Sequence, residues 1–341
     1  QGQGLRLGEA DAMTPPDGPN PESLPPPGSG PARVPARGLA LALALFRLAR
    51  PRQWAKSAFV LIGPLYGLSQ AGRDWRSVLP DALAAAAAFA LASSAAYIIN
   101  DIRDRDQDRL HPRKRRRPIA SGEVTPSTAL LFALALLGLS FAIVALTLGP
   151  ASMWTTVAIA AYFANVLAYS TFLKKVVIAD VICLSVGFVI RVLGGCAATM
   201  IEPSTWLLNV TFFLAMFLSF GKRLGERRSM QAIGGHAADV RAVQGVYTDD
   251  LLRMAVVVTA VATLVTYSAY VQAQEFSYKH GFNLLWLTLI PATYGLMRCI
   301  VLVEQGTYDD PTEIATRDRR IQGAALVFAL LVGALMIYFR Q

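Results

Sequence analysis

Apolar residues in this chain come in long, nearly uninterrupted blocks. Blocks of about 20 residues, the length that crosses a bilayer as a helix, recur near 54–71, 78–99, 127–147, 151–171, 179–198, 204–220, 251–272, 282–303 and 322–339. The pattern predicts an all-α, polytopic membrane protein with nine transmembrane helices. Three polar interruptions stand out, at 100–126, 172–178 and 221–250. Lys and Arg concentrate in alternate connections: Arg113 to Arg117, Lys174 with Lys175, Lys222 to Arg228, and Arg317 to Arg320. By the positive-inside rule these connections and the N-terminus face the cytoplasm, across the plasma (inner) membrane, and all three interruptions meet at that face.

The N-terminal region reads differently. Residues 1–37 hold nine prolines, many glycines and no periodic apolar pattern, so they are expected to be a disordered tail. Met13 reads as the natural start and Gln1 to Ala12 as a remnant. Residues 38–50 begin with a short apolar run and continue into Arg47, Arg50, Arg52 and Lys56 without a small-residue cleavage site. That argues against a signal peptide and for an interfacial amphipathic helix on the inner leaflet, its cations toward anionic headgroups or an anionic substrate. Residues 51–341 are expected to form one helical transmembrane domain.

Composition agrees with membrane immersion: 54% of the 341 residues are hydrophobic and only 16% charged, against about 25% in an average soluble domain. The net charge of +9 would suit nucleic acid, but its confinement to alternate connections reports topology, so no nucleic-acid partner is expected. Cys183, Cys196 and Cys299 fall inside apolar blocks and read as packing residues. With His111, His236 and His280 scattered, no zinc-type ligand spacing exists.

The candidate chemistry begins where the second block ends, at Asn100-Asp101-Ile102-Arg103-Asp104-Arg105-Asp106-Gln107-Asp108. If the helix continues, Asp104 and Asp108 lie about 60° and about 20° from Asp101, whereas Asp106 lies about 140° away, at about 100° per residue. Three carboxylates on one face suit a hard cation such as Mg²⁺ bound together with substrate phosphates. The plainer alternative is a solvated helix end whose acids pair with Arg103, Arg105 and Arg109. Carboxylates set so close to a membrane span are costly without a neutralising partner, which favours the first reading.

Downstream, Arg113 to Gly122 carries a basic run ending in Arg117-Pro118-Ile119-Ala120-Ser121-Gly122. Arg117, beside the turn-forming Pro118, is the cation best placed to fold back onto phosphate oxygens. A third group joins Tyr169, Lys174 and Lys175 to Asp180 at the start of the fifth block. Arg191, embedded in that block, should face the protein interior and bind or pair. At the sixth block's end, Lys222, Arg223 and Glu226 are open to two readings, a local ion pair and a substrate contact.

Together, Asn-Asp-x-x-Asp-x-x-x-Asp followed by Arg-Pro-Ile-Ala-Ser-Gly resembles the UbiA superfamily of polyprenyl-processing transferases. The resemblance covers the chain from about Arg50 onward and implies nine transmembrane helices around a lipid-open cavity, with Mg²⁺ holding a diphosphate. Arg50 to Lys56, Tyr169 to Asp180, Gly187 to Arg191 and Lys222-Arg223-x-x-Glu226 are similar to the phosphoribosyltransferase branch. That branch implies transfer of 5-phosphoribose from phosphoribosyl pyrophosphate to decaprenyl phosphate, a step toward cell-wall arabinan. Carried over residue by residue, it implies Asp101, Asp104, Asp108, Lys174 and Asp180 as catalytic. Arg52, Lys56, Asn100, Arg117, Tyr169, Arg191, Lys222 and Arg223 would bind substrate, and Asn100, Asp101, Asp104 and Asp108 would hold the metal. The second acid-rich motif usual in aromatic prenyltransferases is replaced by Lys174, Lys175 and the single Asp180, which suits a donor and an acceptor that are both phosphorylated. An aromatic prenyltransferase of the same fold and a secondary transporter remain the alternatives, and the sequence is compatible with a homo-oligomer.

Overall fold

The computed structural model describes residues 35–71, 74–110, 114–232, 247–274, 278–279, 281–305 and 317–340. The expectations for the tail up to Val34, for Arg113 and for the three histidines lie outside these residues. The described chain is helical apart from one short antiparallel ladder, Tyr278–Lys279 with Phe282–Asn283. Helix α1 (Leu39–Leu48) and a 3₁₀ segment (Pro51–Ala58) lead into α2 (Phe59–Ala71). Then follow α3 (Trp75–Arg103), the short α4 (Arg105–Leu110), α5 (Pro126–Thr147), α6 (Ser152–Thr171) and α7 (Ala179–Thr199). The bundle closes with α8 (Thr205–Ala232), α9 (Asp249–Gln272), α10 (Leu289–Glu304) and α11 (Arg319–Arg340).

Among the described residues seven helical segments are long and apolar enough to cross a membrane: α3, α5, α6 with its lead-in, α7, α8 to Arg228, α9, and α10 with its lead-in. This is an integral membrane protein. The two other blocks expected as spans fall on the 13-residue α2 with its 3₁₀ lead-in and on α11. The first block opens in 3₁₀ geometry to Ala58, a segment capped by Arg50 in a left-handed backbone (φ 54°) before Pro51.

Helix ends follow capping chemistry. The Asp74 carboxylate accepts from the Arg76 N–H at 3.2 Å to open α3. Thr125 and Thr248 do the same for α5 and α9, at 3.2 and 3.1 Å. Along α3, Ala85, Ala88, Ala92 and Ala95 are buried at helical spacing and let neighbouring helices approach. Closest of all are α2 and α7. A Cβ on Gly195 would strike the Val60 carbonyl, and one on Gly63 would strike Sγ of Cys196. Helix α1 is apolar on both sides: Ala44 and Leu48 pack toward α3 and α5, while Leu39, Leu43 and Phe46 are exposed.

Candidate functional site

Helix α3 does not run on unbroken through the acidic segment. Asp104 leaves helical geometry (φ −87°, ψ 6°), yet its N–H still bonds to the Asn100 carbonyl at 2.9 Å and the Asp108 N–H to the Asp104 carbonyl at 2.8 Å. The helical path is therefore preserved across the one-residue break into α4. Asp101 and Asp108 are each 3% exposed, Asp104 is half-buried, and Asp106 points outward to Arg105 and Arg109.

Each inward carboxylate is held by a cation from elsewhere in the chain. One terminal nitrogen of Arg50 donates to both oxygens of Asp101 at 2.5 and 2.6 Å, and its guanidinium lies 5.3 Å from the Tyr97 ring centre. Arg117 bridges Asp101 at 3.0 Å and Asp108 at 2.7 Å. Lys174 donates to both oxygens of Asp104 at 3.0 and 3.2 Å, and the Asn100 amide reaches the same carboxylate at 3.0 Å. Arg117 is aimed by the turn that follows it: Ser121 N–H bonds to the Arg117 carbonyl, Val124 N–H to that of Pro118, and Gly122 takes the left-handed conformation (φ 82°). Ile119 and Val124 anchor this turn by burial against Leu48 and Ala129.

Among the described residues no three His, Cys, Asp or Glu side chains are close enough together to hold one metal ion. The physical reason is that guanidinium and ammonium groups occupy the carboxylates, Arg117 standing between Asp101 and Asp108. The donor set still fits Mg²⁺, which binds through one or two carboxylates and fills its remaining positions with phosphate oxygens and water.

A second group lies where α7 and α8 approach α9. Asp180 is completely buried and accepts from Arg223 Nε at 3.1 Å and from the Tyr247 hydroxyl at 2.8 Å. That hydroxyl in turn accepts the Ile178 N–H at 2.7 Å, fixing a β-branched residue in a left-handed conformation (φ 67°). Burial, foremost, holds the Tyr247 phenol well above the ordinary tyrosine range, so it remains a neutral donor. The structure thus seals Asp180 and Arg223 against each other, with Asp180 0% exposed. Glu226 reaches Arg223 at 3.4 Å, and Tyr169 lies near enough to interact with Arg223 electrostatically.

Deeper in the bundle, Arg191 donates to the Tyr162 hydroxyl at 2.7 Å and to Ser93 Oγ at 3.1 Å. Lys56 is half-buried and acts electrostatically on Tyr162; Lys222 is half-buried on α8, and Arg52 is exposed. An apolar cavity of about 490 Å³ opens between α2 and α8 to α11, walled by Phe59, Tyr66, Phe217, Tyr267, Leu296 and Phe328 among others. The sequence reading missed Arg50, Tyr247, Tyr162 and Ser93 as site-forming residues. Only Arg50 carried a signal, standing inside the Arg-Pro-Arg-Gln-Trp segment.

Known proteins resemble this chain in sequence and in fold. A decaprenyl-phosphate phosphoribosyltransferase of Mycobacterium tuberculosis (strain CDC 1551 / Oshkosh) is 34% identical over 292 residues, covering 85% of this chain and 93% of that protein. One from Mycolicibacterium smegmatis is 35% identical over 306 residues, covering 86% and 92%. The fold matches that of a UbiA homolog from Archaeoglobus fulgidus bound to GPP and Mg²⁺, with a TM-score of 0.60 at 17% identity over 87% of this chain and 99% of that one. The model of the UbiA prenyltransferase family matches residues 58–321. The chain belongs to the UbiA prenyltransferase family.

Proposed function

We propose that the protein transfers 5-phosphoribose from phosphoribosyl pyrophosphate to the phosphate of decaprenyl phosphate, at the cytoplasmic side of the inner membrane. In this reading α2 with its lead-in and α11 complete nine transmembrane helices around a lipid-open cavity. Residues 38–50 lie along the inner leaflet, and residues 51–341 are the catalytic domain. Relatives named for this transfer support it. The observation that carries it is the meeting of Lys174 with Asp104, while Asp180, the lone acid of the second motif, is sealed against Arg223. The second motif thus turns a cation toward the aspartates and withholds its carboxylate, as suits phosphorylated donor and acceptor better than a prenyl diphosphate.

Asp101, Asp104 and Asp108, with Asn100, would hold Mg²⁺ on the donor diphosphate. Magnesium, when bound, neutralises charge as the leaving group departs. Arg50, Arg117 and Lys174 turn from carboxylate to phosphate oxygens as the donor enters, and Arg52, Lys56 and Lys222 add to the cationic surround. An oxygen of the acceptor phosphate attacks C1 of the ribose, the bond from C1 to diphosphate oxygen breaks, and its electron pair leaves with the diphosphate. The acceptor monoester, with a second pKa near 6, is largely dianionic at neutral pH, so no enzymatic base is required. Catalysis comes from orientation and charge stabilisation, and direct attack inverts the anomeric centre.

The test supplies membranes with labelled phosphoribosyl pyrophosphate and polyprenyl phosphate, and in parallel with labelled prenyl diphosphate and an aromatic acid. Label should enter lipid only in the first arm. Transfer confined to the second would replace this reading with aromatic prenylation.

A further inference from the structure

Arg191 stands apart from every other buried arginine described here. It is 4% exposed, yet among the described residues no carboxylate pairs with it, and its Nε has no hydrogen-bond partner. Arg223, the other buried arginine among the described residues, also leaves one terminal nitrogen without a partner but has Asp180 as its counter-ion. Arg191 instead rests on aromatic faces, its guanidinium carbon 4.3 Å from the centre of the Tyr162 ring and 5.5 Å from that of Phe188. Its two hydrogen bonds go to neutral hydroxyls on α6 and α3. Ser93 lies about 12 Å along α3 from Asp101, at about 1.5 Å per residue, so this charge sits well inside the membrane-spanning part of the bundle. A cation there is costly unless an anion or a water-filled cavity meets it.

The apolar cavity lies beyond Phe188, reached from Arg191 through a second ring. Phe59, in the cavity wall, packs edge-on against Phe188 with ring centres 4.7 Å apart. Two aromatic rings, Phe188 and Phe59, therefore separate an uncompensated guanidinium from a hydrocarbon-lined space. A cavity of about 150 Å³ accommodates a benzene, so about 490 Å³ takes a chain segment of three or so such six-carbon bodies. The adjacent chemistries match an amphiphile with an anionic head and an unsaturated hydrocarbon tail.

We infer that Arg191 receives the phosphate monoester of the lipid acceptor, with the first isoprene units in the cavity behind Phe59 and Phe188. The donor diphosphate is left to the aspartate end. The inference rests on the phosphoribosyl-transfer reading and adds to it the division of cations between the two substrates. Tyr162 and Ser93 hold the guanidinium in place, and Lys56 contributes a second positive charge nearby.

The experiment uses the purified full-length protein with farnesyl phosphate, farnesol, ribose 5-phosphate and phosphoribosyl pyrophosphate as probes. It compares the wild type with Arg191→Met and with the charge-keeping Arg191→Lys. The Met variant should raise the KM for farnesyl phosphate roughly 10- to 100-fold, the worth of hydrogen bonds to a charged group, and leave the donor KM unchanged. It should also lose the preference for farnesyl phosphate over farnesol as a thermal stabiliser, while the Lys variant falls between. A rise in the donor KM, or weaker ribose 5-phosphate binding, would instead assign Arg191 to the sugar's 5-phosphate and overturn the inference. Should the Met variant not fold, an unchanged acceptor KM in the Lys variant overturns it equally. Wild-type protein that binds neither substrate refutes the transfer reading itself. Wild-type protein that binds both, with Arg191→Met indifferent to the acceptor, refutes only this assignment.

Discussion

Two carboxylate–guanidinium groups sit at neighbouring helix ends and are built oppositely. At the aspartate end Asp101 and Asp108 are buried, but their cations are part-wetted: Arg50, Arg117 and Lys174 are 27%, 30% and 26% exposed and come from three different segments. At the α7–α8 end Asp180 and Arg223 are 0% and 1% exposed and have Tyr247 as a third member. Partly wetted pairs can exchange partners with an incoming anion and its metal, because water and ligand replace what is lost. A sealed pair cannot, since separating it leaves a bare charge in low dielectric. The same chemistry therefore gives a working site in one place and a brace in the other. The brace is useful to the site, since it fixes the Ile178 turn that follows Lys174.

The largest effect expected from breaking this contrast is on the sealed side. Arg223→Met leaves Asp180 buried without its cation, and should destabilise the protein by about 3–5 kcal/mol. Thermal unfolding in detergent measures it. Replacing both partners, Asp180→Leu with Arg223→Met, should recover much of the loss, and a double variant as unstable as the single one would contradict the brace. At the open end Asp101→Asn should leave the unfolding temperature nearly unchanged and lower turnover about 100-fold, equivalent to about 2.7 kcal/mol of barrier. If instead Asp101→Asn melted the protein and Arg223→Met only slowed it, the roles of the two regions would be reversed.

How far this division was legible in the sequence depends on the reach of the contact. The helical fold was legible because nearly every span is written locally as an apolar block. The aspartate face was legible because 3.6-residue periodicity survives the break at Asp104, and the Arg117 turn because Pro118 and Gly122 mark it. Arg50 on Asp101 was not, since its approach depends on a left-handed backbone before Pro51 that no periodicity encodes. Tyr247 was invisible for a related reason: it meets Asp180 from 67 positions away, from within the long polar interruption at 221–250. Asp180 and Arg223 stand out in the sequence because they are charged, while their burial against each other is supplied only by the tertiary fold.

Tyr247 offers a finer probe of the brace. Tyr247→Phe keeps the ring against Phe220 and removes only the hydroxyl shared by Ile178 and Asp180, at about 1 kcal/mol of stability. Its pH dependence follows from the raised phenol pKa. Above about pH 10 the unfolded tyrosine ionises while the folded one stays protonated, so this contribution is present below that pH and is lost as pH rises. Unfolding curves of wild type and variant from pH 7 to pH 11 should thus lie apart at the lower end and converge at the upper. Parallel curves would mean that the hydroxyl is solvated and not enclosed.

The smallest effect is expected at Asp106, and it sharpens the comparison most economically. Asp106 belongs to the same acidic run as Asp101, Asp104 and Asp108 but faces solvent, with only Arg105 and Arg109 for company. Exposed pairs of this kind contribute about 0–1 kcal/mol. Asp106→Asn should therefore change stability by no more than about 0.5 kcal/mol and leave both substrate KM values and turnover at wild-type level. If Asp106→Asn slowed transfer as much as Asp101→Asn does, the activity would depend on acidity along the whole segment, and the one-face arrangement would lose its functional meaning.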